Sequence, residues 1–214
     1  GSSSGCAHSC RWNYRLYDDS GNLISPPGAY YNFASKDLSA LNFIPELIRI
    51  GVDSLKIEGR MKSLHYIATV VGVYRKVIDE YCRNPHSFII DESYYEEIGK
   101  AEKRFSFPGF LAGVPGEKGQ LYNIHSEEPT KDFLGIVRGY DEITNTAFIE
   151  QRNYFSVNNP LEILSPGLKK RFFTVNNMYD KDGNSVTVAN HPLEILGIPV
   201  PFPVKAYDMV RKPN

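Results

Sequence analysis

The sequence predicts an α+β fragment, namely the C-terminal end of an α/β (TIM-like) barrel followed by a small all-β barrel domain. Residues 35–84 alternate helical and extended patterns, which favours parallel strands joined by crossover helices. From Phe105 onward, short extended segments are separated by turn residues, which is typical of antiparallel strands. The 214 residues, 42% hydrophobic and 23% charged, suffice for one large or two small globular domains.

We expect four segments along the chain. Residues 1–5 (Gly-Ser-Ser-Ser-Gly) are typical of an expression-tag remnant, 6–84 form the end of the barrel, 85–106 a helical linker, and 107–214 the small antiparallel β-barrel domain. Only about one and a half strand-helix units precede residue 84, too few to close a barrel of roughly 250 residues. We therefore expect the N-terminal region of the barrel to be missing from this chain.

The first elements follow from aromatic alternation and from helical spacing. Residues 10–34 alternate polar and aromatic groups around a turn at Asp18–Asn22, which predicts two extended segments. Leucine and isoleucine then recur every three or four residues, and Gly51 stands where a helix C-cap belongs. These residues predict a helix near 39–50.

The next elements are a strand and two helices. Val52–Ile57 is predicted as a buried strand. Ser63 is a suitable N-cap for a long helix that Pro85 stops, and Asp91 is a suitable cap for a short helix over 92–104. Counted from the extended segments before residue 35 to residue 84, the order is therefore strand, helix, strand, helix.

The C-terminal half predicts a series of short strands. Turns at Asp141–Thr146 and Asp180–Asn184 are natural hairpin loops. The expected strands are Phe133–Tyr140, Ala147–Phe155, Leu161–Leu164, Arg171–Tyr179, Ser185–Ala189 and Val204–Val210.

Charge and cysteine content limit the classes of function. A formal charge of −1 and a pI near 6.6 give no bulk electrostatic argument for a polyanion partner, although local patches remain possible. Three cysteines are too few for a disulfide scaffold and are typical of a reducing compartment, so we expect a cytoplasmic protein. No apolar run approaches the roughly 18 residues that span a bilayer, so we expect no membrane association.

The predicted catalytic residues are Glu58, Arg60 and Lys62, which follow the Val52–Ile57 strand. Ligands of α/β folds bind at the carboxyl ends of strands, where Glu58 offers a general base or an anchor for an amine. Arg60 offers a planar fork for a carboxylate or phosphate, and the following helix N-terminus favours an anion. The alternative is that Glu58 and Arg60 form an ordinary ion pair. His65 is close enough to join this site but is more typical of a surface or helix-packing histidine.

A metal site is a second candidate. Cys6 and Cys10 are separated by three residues, close enough to bind one metal ion or one edge of a cluster, but they are half of a four-ligand set. Cys82 is expected in the core. In the β module, the cluster Lys169–Arg171 is a possible phosphate contact or a solvated turn. Tyr140, Tyr154 and Phe155 are candidates for base stacking or, more simply, for core packing.

Four segments resemble the collagenase-like peptidase family of unknown catalytic type, peptidase family U32. They are Cys6–Trp12 (Cys-Ala-His-Ser-Cys-Arg-Trp), Phe33–Leu38, Ile44–Leu47 and Gly51–Ser63 (Gly-Val-Asp-Ser-Leu-Lys-Ile-Glu-Gly-Arg-Met-Lys-Ser). The likeness continues to about residue 84, and the β module is similar to the C-terminal domain of that family.

The resemblance implies a larger enzyme. Some members carry a protease label from collagen-degrading activity, and others are implicated in oxygen-independent hydroxylation of tRNA, ribosomal RNA or quinone precursors with a cysteine-bound iron–sulfur cluster. It implies that Cys6 and Cys10 are candidate ligands of a [4Fe–4S] cluster completed upstream. Many members have a further cysteine where this chain has Ser39, which puts a cluster using that position in doubt. We expect no intact cluster in this chain alone.

Three functions are compatible with these features. Oxygen-independent hydroxylation of tRNA or ribosomal RNA by the full-length protein accounts for the barrel end, the thiols and the anion-binding corner together. A peptidase acting on a protein substrate fits the family label, but the chain has no His-Glu-x-x-His and no Gly-x-Ser-x-Gly motif. The third is a domain that acts only as a docking module. We expect the fragment to be inactive alone, and the sequence leaves its oligomeric state open.

Overall fold

The structure is a computed structural model that describes residues 9, 12–60, 62–101, 106–116, 119–122 and 132–213. Its internal contacts divide the chain into two compact units. The first unit comprises residues 1–51 and 103–128, and the second comprises residues 52–102 and 129–214. The second unit therefore combines the central helical segment with most of the C-terminal half of the sequence.

Two small sheets organise the first unit. β1 (Tyr31–Ser35) pairs antiparallel with β4 (Gln120–Tyr122). β2 (Asp37–Leu38) pairs parallel with β3 (Ser106–Phe107).

The predicted turn at Asp18–Asn22 is confirmed. The Asp18 carboxylate accepts the backbone N–H groups of Ser20 and Asn22 at 2.9 and 2.8 Å. This arrangement is the local side-chain-to-backbone bonding that makes aspartate favourable in turns. Tyr17 and Leu23, which flank the turn, form an isolated antiparallel β-bridge with each other.

The helix predicted near residues 39–50 is confirmed as a 3-10 turn over Leu41–Phe43 that continues into α1 (Ile44–Arg49). Pro45 lies at the start of α1, where a backbone N–H would have no helical partner in any case. Gly51 adopts a φ of 84°, the left-handed conformation in which glycine commonly ends a helix.

The second unit begins with two packed helices, both predicted. The side chain of Ser63 accepts the backbone N–H of Tyr66 at 3.1 Å and so caps α2 (Leu64–Arg83). Asp91 accepts the N–H of Ser93 at 2.8 Å at the start of α3 (Ser93–Ala101). One face of α2 is buried through His65, Thr69, Val70, Val73 and Val77.

The remainder of the second unit is a β module. Its main sheet contains eight strands: β5 (Phe133–Asp141), β6 (Thr146–Gln151), β8 (Pro160–Ser165), β9 (Lys169–Thr174), β10 (Met178–Tyr179), β11 (Ser185–Val186), β13 (Ile195–Pro199) and β14 (Met209–Arg211). The sheet is antiparallel, and its strands lie in the order β11-β10-β13-β6-β5-β14-β8-β9. β7 (Phe155–Ser156) pairs separately with β12 (Val188–Ala189).

The small closed barrel expected from the sequence is not found as such. Within the described ranges no pairing joins β9 to β11, so the sheet has two edges. Both predicted hairpins are confirmed, because β5 pairs with β6 across Asp141–Thr146 and β10 pairs with β11 across Asp180–Asn184. The strand β13 was not predicted. Gly197 and Pro199 argue against a central strand, because both residue types are unfavourable inside one. The structure nevertheless forms a strand there, with Leu196 and Ile198 fully buried.

The two faces of the main sheet differ in what covers them. One face forms the hydrophobic core of the module, and Val210, Ile163 and Ile149 point into it. Side chains alternate between faces along a strand, so Arg211, Glu162 and Glu150 belong to the opposite face. The ionic contacts of Arg211 and Glu162 with α3 attach the helix pair to this opposite face.

Candidate functional site

Residues Val52–Ile57, predicted as a strand, do not form one. The segment is irregular, and Val52 and Leu55 are 39% and 36% exposed. A strand persists only where a neighbouring strand pairs with its N–H and C=O groups, and no described residue pairs with this segment in a sheet. Glu58 and Arg60 therefore lie in a turn and not at the end of a buried strand.

We call residues 58–62 the Glu58 turn. One carboxylate oxygen of Glu58 accepts the backbone N–H of Arg60 at 2.9 Å, and the N–H of Lys62 donates to the carbonyl of Gly59 at 2.9 Å. These bonds close the turn immediately before the Ser63 cap of α2. The three predicted residues, Glu58, Arg60 and Lys62, are thus brought together within one turn of chain.

Gly59 lets the Glu58 turn lie directly against α2. A Cβ atom built on Gly59 would stand 1.8 Å from Cδ1 of Ile67, a separation that real Cβ atoms do not show. Any larger residue would have to displace the end of the Ile67 side chain.

The Glu58 turn contains two cationic side chains and one carboxylate. Arg60 is exposed, and Lys62 is half-buried with Nζ 5.0 Å from the centre of the Tyr66 ring. None of the ion pairs between described residues joins Glu58 to Arg60, so the simple ion-pair interpretation is not what the geometry shows. Two cations beside the N-terminus of a 20-residue helix favour a phosphate or carboxylate ligand.

The thiol pair of the candidate cluster, Cys6 and Cys10, lies outside the described residues. Over the residues that the structure describes, no group of three or more histidine, cysteine, aspartate or glutamate side chains is placed to bind a metal ion. Cys82, expected in the core, is exposed near the end of α2. It lies five residues after the buried Val77, which at about 100° per residue turns it away from the packed face.

The largest buried polar feature of the second unit is an ionic cluster that the sequence did not reveal. The Arg211 guanidinium, fully buried, bonds to the carboxylates of both Glu97 and Glu162. Lys170 Nζ lies 2.5 Å from the second oxygen of Glu97, and Lys100 Nζ lies 3.4 Å from the second oxygen of Glu162. We call these five residues the Arg211 cluster. It joins α3 to β8, β9 and β14.

His65 packs beside the Arg211 cluster and is a packing histidine, as expected. Its ring is stacked on Phe133 at 5.2 Å, and Nε2 lies 3.5 Å from the Arg211 guanidinium. Burial, followed by the charge of Arg211, lowers the pKa of His65 to about 4. Burial also pushes the pKa of Glu97 upward, but hydrogen bonds and charges from Arg211 and Lys170 outweigh it, so that pKa ends below its usual value.

One sequence signal could have located the Arg211 cluster. Glu162 is the single charged residue in the strand Pro-Leu-Glu-Ile-Leu-Ser, and the leucine and isoleucine residues around it are almost completely buried. A lone charge in such a strand requires a buried partner. The sequence does not identify that partner, because Arg211 is 49 residues away.

The remaining candidates of the β module are mostly structural. In the basic cluster Lys169–Arg171, Lys170 belongs to the Arg211 cluster, and Arg171 donates to the Pro203 carbonyl and lies 4.5 Å above the Phe202 ring. Phe155 is buried in the core, whereas Tyr154 is 60% exposed.

No helix among the described residues combines the length and the apolar character that crossing a lipid bilayer requires.

Sequence comparison assigns the chain to a family. The model of peptidase family U32 matches residues 1–121, and the model of the peptidase family U32 C-terminal domain matches residues 129–211. The chain belongs to peptidase family U32, and the resemblance seen in its motifs is confirmed.

Three relatives illustrate what the chain is similar to. It is 41% identical over 212 residues to the tRNA hydroxylation protein P1 of Bacillus subtilis (strain 168), across 97% of this chain and 50% of that protein. It is 28% identical to the tRNA hydroxylation protein P of Escherichia coli (strain K12), across 92% of this chain and 52% of that protein. It is 29% identical to a collagenase of Porphyromonas gingivalis (strain ATCC BAA-308 / W83), across 50% of this chain and 26% of that protein. The chain thus spans about half the length of the first two relatives.

Proposed function

We propose that this chain is the C-terminal part of a protein that hydroxylates a nucleoside of tRNA without using molecular oxygen. One observation carries the proposal: 97% of the chain aligns, at 41% identity, with a tRNA hydroxylation protein. The alignment includes both the Glu58 turn and the β module. Ribosomal RNA is the second RNA substrate that the sequence features allow.

In this proposal the Glu58 turn contacts the substrate. Arg60 and Lys62 bind a phosphate of the RNA, because both are cationic and lie beside the N-terminus of α2. Glu58, held by the backbone N–H of Arg60, accepts a proton or orients the reacting base. The support is that the turn brings three polar residues together directly before the N-terminus of α2.

The same proposal includes the domain arrangement of the longer protein. Residues 6–84 continue an α/β (TIM-like) barrel supplied by a preceding region, and residues 107–214 act as a small barrel-like domain after the linker 85–106. In that setting Val52–Ile57 becomes a strand, since the neighbouring barrel strands would pair with its backbone. The relatives are about twice as long as this chain, which leaves room for such a region.

An iron–sulfur cluster is the proposed cofactor of the longer protein. Cys6 and Cys10 would supply two thiolate ligands, and the preceding region would supply the others. Such a cluster supplies one-electron redox chemistry when bound. Ser39 replaces a frequent cysteine of the family, so the proposal uses both Cys6 and Cys10 and does not need a ligand at position 39.

Proteolysis is the second candidate function, because the family carries a peptidase name and a collagenase is among the relatives. That relative aligns with only half of this chain. An RNA-modifying role also agrees with a cytoplasmic location, which we propose along with it.

The test is a comparison of tRNA nucleosides from a strain with the gene and a strain without it. Mass spectrometry of digested tRNA should show a hydroxylated nucleoside that disappears on deletion and returns with the full-length gene. An unchanged nucleoside profile in both tRNA and ribosomal RNA, together with gelatin cleavage by the purified full-length protein, would establish the peptidase alternative.

A further inference from the structure

An exposed phenylalanine lies between two glycines on the sheet face opposite the core. Phe148 of β6 is 42% exposed, and its register partners are Gly139 on β5 and Gly197 on β13. Cβ atoms built on these glycines would lie 3.6 Å from Cδ2 and 3.9 Å from Cε1 of the Phe148 ring, on opposite sides of it. With glycine at both positions, no neighbouring side chain in this row covers the ring.

The row of residues paired across neighbouring strands, from Gly139 through Phe148 to Gly197, continues to a second aromatic residue. Gly197 pairs on its other side with Tyr179 of β10, which is 37% exposed. Neighbouring strands are about 4.8 Å apart, so the two aromatic residues stand roughly 10 Å apart with only glycine between them. Thr146 Cγ2, Phe148 Cε1 and Tyr179 Cβ all lie within 4.0 Å of a Cβ built on Gly197, so the two aromatic side chains border this glycine from both sides.

A third aromatic residue and an arginine continue the surface past β5. Tyr207 is 74% exposed and adopts a φ of 73°, a conformation that costs free energy for any residue with a side chain. The guanidinium of Arg138 lies 6.0 Å from the centre of the Tyr207 ring. We call Phe148, Tyr179, Tyr207 and Arg138 the aromatic face.

Two arginines and one glutamate lie next to the aromatic face. Arg138 bonds to both carboxylate oxygens of Glu150 at 2.9 and 3.0 Å, and Arg152 lies 2.6 Å from the same carboxylate. Two guanidinium groups thus share one carboxylate, which leaves one net positive charge beside three exposed rings. Both arginine side chains are about one-third exposed and can meet solvent or a ligand.

We propose that the aromatic face binds unpaired nucleotides of the RNA substrate, with a base stacked on Phe148 and the backbone phosphates near Arg138 and Arg152. Exposed aromatic rings bordered by cations are the features that bind single-stranded nucleic acid. The cross-strand partners of Phe148 are both glycines, so neither partner has a side chain that competes with a base for the exposed part of the ring. The inference rests on the proposed function, since it takes RNA as the substrate.

Two other uses of this surface make different predictions. Aromatic residues also shelter neighbouring strand glycines, in which case Phe148 would contribute only to stability. Exposed aromatic patches also bind proteins, in which case the face would pair with a second copy of the chain or with another protein. The positive charge beside the rings and the match to tRNA hydroxylation proteins along the whole module favour RNA.

The test measures binding of a short fluorescein-labelled oligouridylate and of an unmodified tRNA transcript by fluorescence anisotropy, using the 214-residue chain at fixed salt. Phe148→Ala should weaken binding about tenfold, as for the loss of one stacked base. Phe148→Trp should bind at least as tightly as the wild type. Phe172→Ala is the matched control, because Phe172 is an exposed aromatic residue of β9 outside the aromatic face, and it should change nothing.

Gly139→Val keeps the inference testable if Phe148→Ala does not fold. The added side chain begins at ordinary contact distance from the Phe148 ring and covers it without removing it. It should weaken RNA binding while circular dichroism and the melting temperature stay close to the wild type.

The inference is overturned if Phe148→Ala and Gly139→Val bind both RNAs as the wild type does, or if Phe172→Ala weakens binding equally. It is also overturned if sedimentation shows that Phe148→Ala changes self-association and leaves RNA binding unchanged. The nucleoside assay in cells is independent of all these results. Hydroxylation lost on gene deletion, with no effect of the face variants, would therefore refute the aromatic face and leave the proposed function intact.

Discussion

Arg211→Met is predicted to weaken the attachment of the helix pair to the β module. The substitution keeps a long, flexible side chain of similar shape and removes the guanidinium that bonds to Glu97 and Glu162. Glu97 is 2% exposed and keeps Lys170 as its second partner, and Glu162 is 1% exposed and keeps Lys100. The variant therefore isolates the central cation of the Arg211 cluster.

The expected loss is large because the charges left behind are buried. Removing one partner of a buried ion pair typically destabilises a protein by about 3–5 kcal/mol. The lysines that remain reduce this cost, since each carboxylate still has one cation within 2.5 or 3.4 Å. We expect a loss of about 3 kcal/mol in the free energy of unfolding, the lower end of that range.

The assay is urea unfolding followed by circular dichroism, with Arg75→Met as the matched control. Arg75 also forms an arginine-carboxylate pair, with Asp79 at 2.6 Å, but its side chain is 60% exposed. An exposed pair of this kind on a helix contributes less than about 0.5 kcal/mol. Equal losses in the two variants, or an Arg211→Met protein as stable as the wild type, would refute the claim that the Arg211 cluster holds the helices in place.

Three further predictions follow from the described contacts. The pKa of His65 is lowered to about 4 in the folded state, so on acidification the unfolded state binds a proton first. The free energy of unfolding should therefore fall by about 2 kcal/mol between pH 7.5 and pH 5. Urea unfolding of His65→Gln should show much less of this decrease. Gly135→Ala should cost about 2 kcal/mol, because its Cβ would stand 2.8 Å from the Glu150 carbonyl oxygen, whereas Gly139→Ala should be nearly neutral in the same measurement. Arg60→Ala should change the melting temperature by no more than an exposed substitution does, under about 1 kcal/mol, while lowering tRNA affinity in a filter-binding assay; a collapse of the fold would assign Arg60 a structural role.

Local patterns predicted the elements that depend on neighbouring residues. Caps such as Ser63 and the loops of the two hairpins act over a few residues, so the helices and most strands could be located from the sequence. The failure at Val52–Ile57 has the opposite cause. Its apolar alternation is that of a strand, but a strand needs partners, and no described residue provides them.

The candidate site was predictable only in part. Glu58, Arg60 and Lys62 are close in sequence, so any turn brings them together. The Arg211 cluster and the aromatic face are each assembled from residues far apart in the chain. Phe148 meets Gly197 only because β6 pairs with β13, the strand that the sequence did not predict. Register, which decides the face on which a side chain lies, is set by that pairing.

We propose that this chain is part of a tRNA-hydroxylating protein, and this proposal can be tested directly in cells. The most direct measurement is mass spectrometry of tRNA nucleosides from cells that carry the wild-type gene, no gene, or the full-length gene with Arg60→Ala. We expect a nucleoside one oxygen atom heavier in the first strain, its absence in the second, and a reduced amount in the third at equal protein level. A nucleoside profile that is identical in all three strains would contradict the proposal.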